Sequence, residues 1–204
     1  EDSLTISISA IKRRRSWSVG GKNAHLGEMK TDLSLPVPDG FAITAWAYRE
    51  FLEANKLQER ITEAMDSLNI RHIEELNSVS EEIRVMILHS EVPATLTEAI
   101  KKSHSTLPGS KTKNRFSLRS SAIGEDTQFS FAGQYATFLN VKGDDIVEFY
   151  AKVVASKFTP KAIYYFLAHS LNESELAMSV GCFEMIDSAV SGVVYSRNPV
   201  DTDD

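Results

Sequence analysis

Two cationic residues stand in settings that could bind an anion, and the first is Lys22. It lies in the run Gly-Gly-Lys-Asn at positions 20–23, which is typical of a glycine turn that opens a helix. The N-terminus of a helix presents unpaired N–H groups and partial positive charge, and a lysine there adds a mobile cation. The run lacks the spacing of a P-loop, in which four residues separate two glycines and Lys-Ser/Thr follows. Phosphate binding and a plain glycine turn with a surface lysine are therefore both open.

The second cation, Arg119, lies among serines in a segment from residue 116 to residue 141. This segment begins and ends with alternating apolar residues, which predict two strands, and a polar loop that contains glycine joins them. Backbone N–H groups of such a loop can point at phosphate oxygens, since glycine lets the backbone approach closely. An arginine beside hydroxyl groups can hold phosphate in a bidentate fork. The alternative is a structural salt bridge with one of the 28 acidic residues.

The remaining polar residues show no catalytic pattern. Glu125 and Asp126 are adjacent and could bind a metal, but neighbouring side chains on a strand or loop diverge and make a poor cage. The five histidines show no spacing typical of metal ligands, and His25 is the one close to a candidate motif. The single cysteine, Cys182, lies in an apolar segment and is predicted to be an inert core thiol. We therefore assign no catalytic residue and no metal ligand within the chain.

Composition narrows the classes of partner. The chain has 204 residues and a formal net charge of −6, which does not favour general nucleic-acid binding. The short basic cluster at 12–15 is either a solvated patch or the source of an arginine that faces a phosphate-bearing ligand. No run reaches the roughly 18 apolar residues of a membrane span, and the N-terminus lacks the layout of a signal peptide. We expect a cytoplasmic protein that binds neither nucleic acid nor membrane.

Periodicity predicts a mixed α/β chain with antiparallel strand pairs rather than a series of βαβ units. Apolar residues recur at helical spacing from about residue 57 to residue 107, which predicts a helical insertion packed on a sheet. Thr44 and Thr159 each precede a helical pattern and are predicted N-caps. The predicted strands lie at 4–8, at 41–44, from 116, at 137–141, at 176–186 and at 190–195, the last two joined as a hairpin by a turn at 187–188.

Five ordered blocks of the sequence resemble one protein family. The blocks read GGKNAHLGEM, VPDGFAITAWAYREFL, SLRSSAIGEDTQFSFAGQYATFLNV, FTPKAIYYF and SGVVYSRNPV, and the resemblance spans residues 19–200. They are similar to the N-terminal ATP-binding domain of the phosphoenolpyruvate synthase and pyruvate phosphate dikinase family. The resemblance implies a partial ATP-grasp-like fold with a mixed or antiparallel sheet, in which an adenine nucleotide lies between two lobes.

The resemblance also implies a reaction. In the family, a phosphoryl group passes from ATP to a histidine on a separate swivelling domain, and then to pyruvate or another acceptor. The parent protein would be an ATP-dependent phosphotransferase of the pyruvate, water dikinase type, with the phosphohistidine domain of the same chain as a partner. Residues 1–204 would be the N-terminal part of the nucleotide-binding domain, and the end at SRNPVDTDD suggests truncation. The family's Mg²⁺ ligands would then lie outside this stretch, and we expect weak binding of ATP by the stretch alone.

The family's nucleotide contacts map onto positions of this sequence. Lys22 and Arg119 match the residues that contact the phosphates of ATP. The other candidate nucleotide contacts, of which the first three belong to the phosphate-covering loop, are Gly133, Gln134, Thr137 and Glu184.

Two departures from the family pattern leave other interpretations open. The loop EDTQFSFAGQ is one residue shorter than is common in the family, and Phe183 stands where relatives usually carry a glutamine near the adenine. These differences motivate a degenerate, non-catalytic module that binds a nucleotide or a partner protein. A third interpretation is a helical interaction domain built on residues 57–107.

Overall fold

Five strands form a single sheet in the computed structural model, which describes residues 3–66, 68–112, 114–124, 134–169, 171 and 176–195. The strands are β1 (Thr5–Ser7), β2 (Gly40–Ile43), β3 (Arg115–Ala122), β4 (Thr137–Lys142) and β5 (Met178–Glu184). Their order across the sheet is β1-β2-β5-β3-β4, and every neighbouring pair is antiparallel. The predicted mixed α/β class with antiparallel strand pairs is confirmed.

Seven α-helices occur among the described residues. They are α1 (Ser16–Thr31), α2 (Ala45–Ala54), α3 (Leu57–Asp66), α4 (Ile73–Leu88), α5 (Ala94–Ser105), α6 (Ile146–Ala155) and α7 (Pro160–Ala168). Helices α3, α4 and α5 form the predicted insertion, since their apolar positions supply the buried faces. None of the described helices combines the length and the apolar character needed to cross a membrane.

Both predicted N-caps are present. The Oγ1 atom of Thr44 accepts a hydrogen bond from the N–H of Ala47 at 3.3 Å and begins α2. Thr159 caps α7 in the same way, through the N–H of Ala162 at 3.3 Å, and Pro160 occupies the first helical position. Each cap satisfies an N–H that the helix leaves unpaired, a contribution of about 1 kcal/mol. These helix starts are therefore local properties of the sequence.

The two faces of the sheet carry different layers. On β3, Phe116 and Leu118 are buried in the main core, together with apolar side chains from α2 to α7. Ala42 of β2 and Phe183 of β5 belong instead to a smaller core that contains Val19 of α1. Successive side chains of a strand point to opposite faces, so α1 covers one face and the other helices cover the second.

The edge strand β4 contains a bulge. The register with β3 shifts by one residue between Phe116 and Leu118. Asn140 has a φ of 59°, in the left-handed region that asparagine tolerates better than most residues. The extra residue lets Phe138 and Val141 both pack on the main core, although strict alternation would turn one of them to the other face.

The predicted hairpin of 176–186 with 190–195 is wrong. Only β5 forms, and residues 185–195 lie outside any strand, with Val194 95% exposed. The reason is strand order, because β2 and β3 occupy both edges of β5 and leave no edge for a hairpin partner. An apolar alternation after a strand predicts extended chain, but it does not show whether the preceding strand is central.

Candidate functional site

One row of residues crosses the sheet on the face that α1 covers. Through consecutive strand pairings, Thr137 of β4 lies opposite Arg119 of β3, which lies opposite Gly181 of β5. The row continues through Ala42 of β2 to Ile6 of β1. Directly opposed side chains of antiparallel strands lie on the same face. Arg119 therefore stands between a hydroxyl-bearing residue and a glycine.

Helix α1 approaches this row closely because glycines remove side chains at the contact. A Cβ on Gly181 would meet the Oδ1 of Asn23, and a Cβ on Gly20 would meet the carbonyl oxygen and Oγ of Ser121. Gly20 also has φ 74° and ψ 160°, which kinks α1 and is a backbone geometry nearly restricted to glycine. The predicted glycine turn at 20–23 is present as a kink that lies directly on β3, but it falls within α1, which begins at Ser16 and not at the turn.

A cavity of about 220 Å³ lies between α1 and the row. Its lining residues from α1 are Lys22, Asn23, His25 and Leu26, and those from the sheet are Arg119, Ser120 and Phe183. The two cations singled out by the sequence therefore line one cavity, although they are far apart in the chain. A negatively charged ligand would therefore be attracted to this cavity, whose walls also include buried apolar surface.

Arg119 is available to a ligand. Its side chain is exposed, and its guanidinium group makes no hydrogen bond or ion pair with any residue in the described parts of the chain. The alternative of a structural salt bridge is therefore not realised among those residues. A guanidinium group presents donors in a rigid fork that matches two oxygens of a phosphate or carboxylate.

A second cavity, of about 450 Å³, adjoins the first and shares Leu26, Arg119 and Phe183 with it. Thr137 and Glu184 line this larger cavity. The Oε1 atom of Glu184 accepts a hydrogen bond of 2.6 Å from the N–H of Gly109, which fixes the carboxylate against a short 3₁₀ turn. Four of the six predicted site residues thus surround two connected cavities.

The other two predicted site residues are not assigned to either cavity by the described part of the chain. Gly133 lies outside the described residues. Gln134 is half-buried and lines neither cavity, and its Oε1 is buried without a hydrogen-bond partner among the described residues. Their assignment to the nucleotide stays a prediction.

His25 and Phe183 are lining residues whose role sequence reasoning did not assign. Residues 22, 25 and 26 lie on one face of a helix because they are three and four positions apart, so helical spacing from Lys22 could have indicated His25. Phe183 is 4% exposed and belongs to the sheet side of the cavity, which we call the floor of the site. Its side chain contributes apolar surface, where the family's glutamine would contribute an amide.

The remaining candidate features do not join this site. Among the described residues, no cluster of three or more His, Cys, Asp or Glu side chains could hold a metal ion. Glu125 and Asp126 lie outside the described residues. Within the basic cluster at 12–15, the guanidinium of Arg13 lies 3.5 Å from the carboxylate of Glu28 on α1, and none of the four residues lines either cavity. This favours the solvated patch.

Cys182 is the buried core thiol that the sequence predicts. Burial raises its pKa above the ordinary range of a thiol, so the group is neutral and unreactive in the folded protein. Tyr150 is buried in the same core, and desolvation together with the Glu50 carboxylate raises its pKa as well. Neither group belongs to the site.

Comparison with known proteins agrees with the five sequence blocks. A family profile described as "Pyruvate phosphate dikinase, AMP/ATP-binding domain" matches residues 16–204. The chain is 38% identical over 192 residues to a probable phosphoenolpyruvate synthase of Staphylothermus marinus, a match that covers 91% of the chain and 23% of that protein. It is 40% identical over 185 residues to the phosphoenolpyruvate synthase of Escherichia coli strain K12, covering 87% of the chain and 23% of that protein.

A more distant relative carries a different name. The chain is 29% identical over 200 residues to the rifampicin phosphotransferase of Bacillus subtilis, a match that covers 97% of the chain and 23% of that protein. In each of these comparisons the chain spans less than a quarter of the relative's length.

Proposed function

Because the chain belongs to the family of pyruvate phosphate dikinase AMP/ATP-binding domains, we propose that the two connected cavities hold an adenine nucleotide. The observation that carries this proposal is the placement of Lys22 and the exposed guanidinium of Arg119 around one cavity. Phosphate groups need this kind of charge neutralisation. Residues 1–204 are, in this proposal, the N-terminal part of a nucleotide-binding domain with a partial ATP-grasp-like fold.

The chemistry of each lining residue suggests a role. Lys22 offers a mobile point charge and Arg119 a fixed fork, so together they would bind phosphate oxygens from two sides. Thr137 offers a hydroxyl beside Arg119. Glu184 also lines the larger cavity, with its carboxylate held by the N–H of Gly109, and its contact with the nucleotide is proposed on the family resemblance. Gly133 and Gln134 remain proposed contacts on the strength of the family resemblance.

The proposed reaction of the whole protein is transfer of a phosphoryl group from ATP to a histidine on a separate domain, and then to pyruvate. In the first step a P–O bond of ATP breaks, a P–N bond to histidine forms and the shortened nucleotide leaves. In the second step the P–N bond breaks, a P–O bond to an oxygen of pyruvate forms and the histidine is released. Such transfers depend on positioning and charge stabilisation more than on covalent chemistry by the nucleotide-binding domain. The described residues would therefore act by orienting phosphates and neutralising them. A cytoplasmic location belongs to the same proposal.

Mg²⁺ accompanies ATP in this proposal, but the described residues supply no cage for it. They contain no cluster of three or more metal-ligating side chains. We therefore derive no step through the ion from this chain.

A degenerate, non-catalytic module is the second candidate, and Phe183 favours it. The ring packs into the small core with Ala42 and Val19 and is almost fully buried. At this point of the floor the site therefore offers a nucleobase no hydrogen bond from a side chain. The module would bind a nucleotide without transferring phosphate.

Two measurements on the complete polypeptide that contains this chain test the proposal. Calorimetry with ATP and with AMP should show about tenfold or greater loss of affinity in Arg119→Ala and in Lys22→Ala, as expected for lost charge-assisted hydrogen bonds. Arg115→Ala is the matched control, because Arg115 is exposed on the same strand and lines neither cavity. If neither Lys22→Ala nor Arg119→Ala lowers the affinity for ATP, the proposed nucleotide site is wrong.

Labelled ATP separates the two candidate functions. Incubation with ATP that carries ³²P should produce an acid-labile phosphoprotein if the protein is the proposed phosphotransferase. Nucleotide binding without such a label would identify the non-catalytic module instead. The Arg119→Ala variant should lose the label, and Arg115→Ala should retain it.

A further inference from the structure

Asn23 is a buried amide that joins three separate parts of the fold. Its side chain is 1% exposed, although it sits beside the exposed Lys22. The Nδ2 atom donates to the carbonyl of Val19 at 2.9 Å and to the Oγ of Ser179 at 3.3 Å. The backbone N–H of Asn23 donates to the Oγ of Ser121 at 3.3 Å. One residue thus ties α1 to both β3 and β5.

The side chain of Asn23 bonds across the kink at Gly20. The backbone of Gly20, at φ 74° and ψ 160°, is non-helical, and the side-chain amide of Asn23 bonds to the carbonyl of Val19 on the other side of it. The backbone N–H of Asn23 bonds to the Oγ of Ser121 on the neighbouring strand. The residue therefore holds the kinked part of α1 against the sheet.

The contact with β5 has a defined direction. The hydroxyl of Ser179 donates to the carbonyl of Ile43 at 2.7 Å, so it has no second proton to give and accepts from Asn23. Ser179 and Ser121 are direct partners across β5 and β3, and both are fully buried. The chain of hydrogen bonds therefore runs from α1 through β5 to β2, in surroundings where an unpaired polar group is costly.

We infer that Asn23 is the positioning residue that sets Lys22 against Arg119. Lys22 is joined directly to Asn23 in the chain, and Arg119 lies two residues from Ser121 on the same strand. The hydrogen bonds of Asn23 therefore link the two segments that carry the cations. This inference rests on the proposed function, and its ligand is the polyphosphate of the nucleotide. Asn23 also lines the cavity, but it is 1% exposed and its Nδ2 already donates two hydrogen bonds within the fold, so it acts through the cations.

A double-mutant cycle on the complete polypeptide separates positioning from stability. Asn23→Ala should weaken ATP binding about tenfold or more in the wild-type background. In the Lys22→Ala, Arg119→Ala background the same change should weaken residual binding by less than about twofold, because the cations it positions are gone. The loss in Tm caused by Asn23→Ala should be the same in both backgrounds, since the hydrogen bonds themselves do not depend on the cations.

Asn55→Ala is the matched control. The Nδ2 of Asn55 also donates two hydrogen bonds, here to the backbone carbonyls of Phe51 at 2.9 Å and of Glu91 at 3.0 Å. Asn55 lies at the end of α2 and lines neither cavity. This variant should lower Tm and leave ATP affinity unchanged. If Asn23→Ala does not fold, Ser121→Ala removes one acceptor of the same link and should show the same dependence on background.

The measured ATP affinities distinguish a failure of the inference about Asn23 from a failure of the proposed function. Equal loss of ATP affinity from Asn23→Ala in both backgrounds would show that Asn23 acts independently of the cations, and would overturn the inference. Unchanged affinity in the folded Asn23→Ala variant would also overturn it. Unchanged affinity in both Lys22→Ala and Arg119→Ala would instead overturn the proposed function on which the inference rests.

Discussion

Arg119 and Thr137 are direct partners across β3 and β4, on the face of the sheet that α1 covers. The pairing places a guanidinium group and a hydroxyl on the wall of the same cavity. Gly181 lies on the other side of Arg119 and carries no side chain that could block it. Because the opposed residues of an antiparallel pair share a face, the register alone brings these two groups together.

Arg119→Lys tests whether the fork geometry matters as well as the charge. Lysine keeps the positive charge but cannot make two parallel hydrogen bonds to a phosphate. We expect ATP affinity to fall by about 1–2 kcal/mol, roughly five- to thirtyfold, as measured by calorimetry. Arg115→Lys, four residues away on β3, should leave affinity unchanged. Full affinity in Arg119→Lys would reduce its role to that of a point charge.

Gly20→Ala should destabilise the fold. The substitution forces a Cβ into the carbonyl oxygen of Ser121 and puts alanine in a backbone region suited to glycine. We expect a loss of about 2 kcal/mol or more, which for a chain of this size lowers Tm by several degrees. Gly192→Ala is the control, since nothing lies within 4 Å of a Cβ at that position. Equal melting curves for the two variants would contradict the close packing of α1 on β3.

Phe183→Gln tests the floor of the site. The ring is 4% exposed in the small core, so replacing it with an amide should lower the free energy of unfolding by about 2–4 kcal/mol. We also expect the ratio of the Kd for GTP to the Kd for ATP to change, because a polar group then faces the nucleotide. Phe183→Leu keeps the site apolar and should leave this ratio unaltered. If the wild type, Phe183→Gln and Phe183→Leu all have the same ratio of Kd values, the nucleobase does not bind beside residue 183.

Alkaline pH should destabilise the protein through two buried acids. The pKa values of Cys182 and Tyr150 are raised by burial, so both groups stay protonated in the folded state. In the unfolded chain they ionise near their ordinary pKa values of 9.0 and 10.0. Above those values the folded state binds more protons than the unfolded state, so the free energy of unfolding falls as pH rises. Each fully ionised group contributes a slope of about 1.4 kcal/mol per pH unit.

Urea titrations between about pH 8 and pH 11 would measure this slope. Cys182→Ala and Tyr150→Phe should each make the dependence on pH flatter than in the wild type. Tyr164→Phe is the matched control, because Tyr164 is 51% exposed and should leave the slope as it was. If neither Cys182→Ala nor Tyr150→Phe changes the slope of the free energy of unfolding against pH, the two groups are not both buried and protonated in the folded protein.

Local signals in the sequence were enough for much of the fold. Thr44 and Thr159 cap their helices as predicted, because a cap needs only a hydroxyl before a helical pattern. The helical insertion and the glycine turn at 20–23 follow from periodicity and from glycine's freedom at positive φ. Local motifs and the family resemblance both gave Lys22 and Arg119 as candidates, and the structure brings both to one cavity.

Other features depended on contacts between distant segments. Nothing in the residues near 190–195 indicates that β5 is a central strand, and so the predicted hairpin failed. The buried role of Asn23 depends on Ser121 and Ser179, which are about 100 and 156 positions away in the chain. From the sequence alone, the short polar side chain of Asn23 is equally consistent with an exposed residue of a turn.

The sequence by itself determined which residues could bind phosphate and which family the chain resembles, because residue types and short motifs carry that information directly. Only the tertiary structure decided that Lys22 and Arg119 line one cavity and that Thr137 stands beside Arg119. It also decided that a buried amide joins the two cationic segments. The physical reason is that strand order and helix placement minimise the free energy of the whole core, through pairings between residues that no local pattern connects.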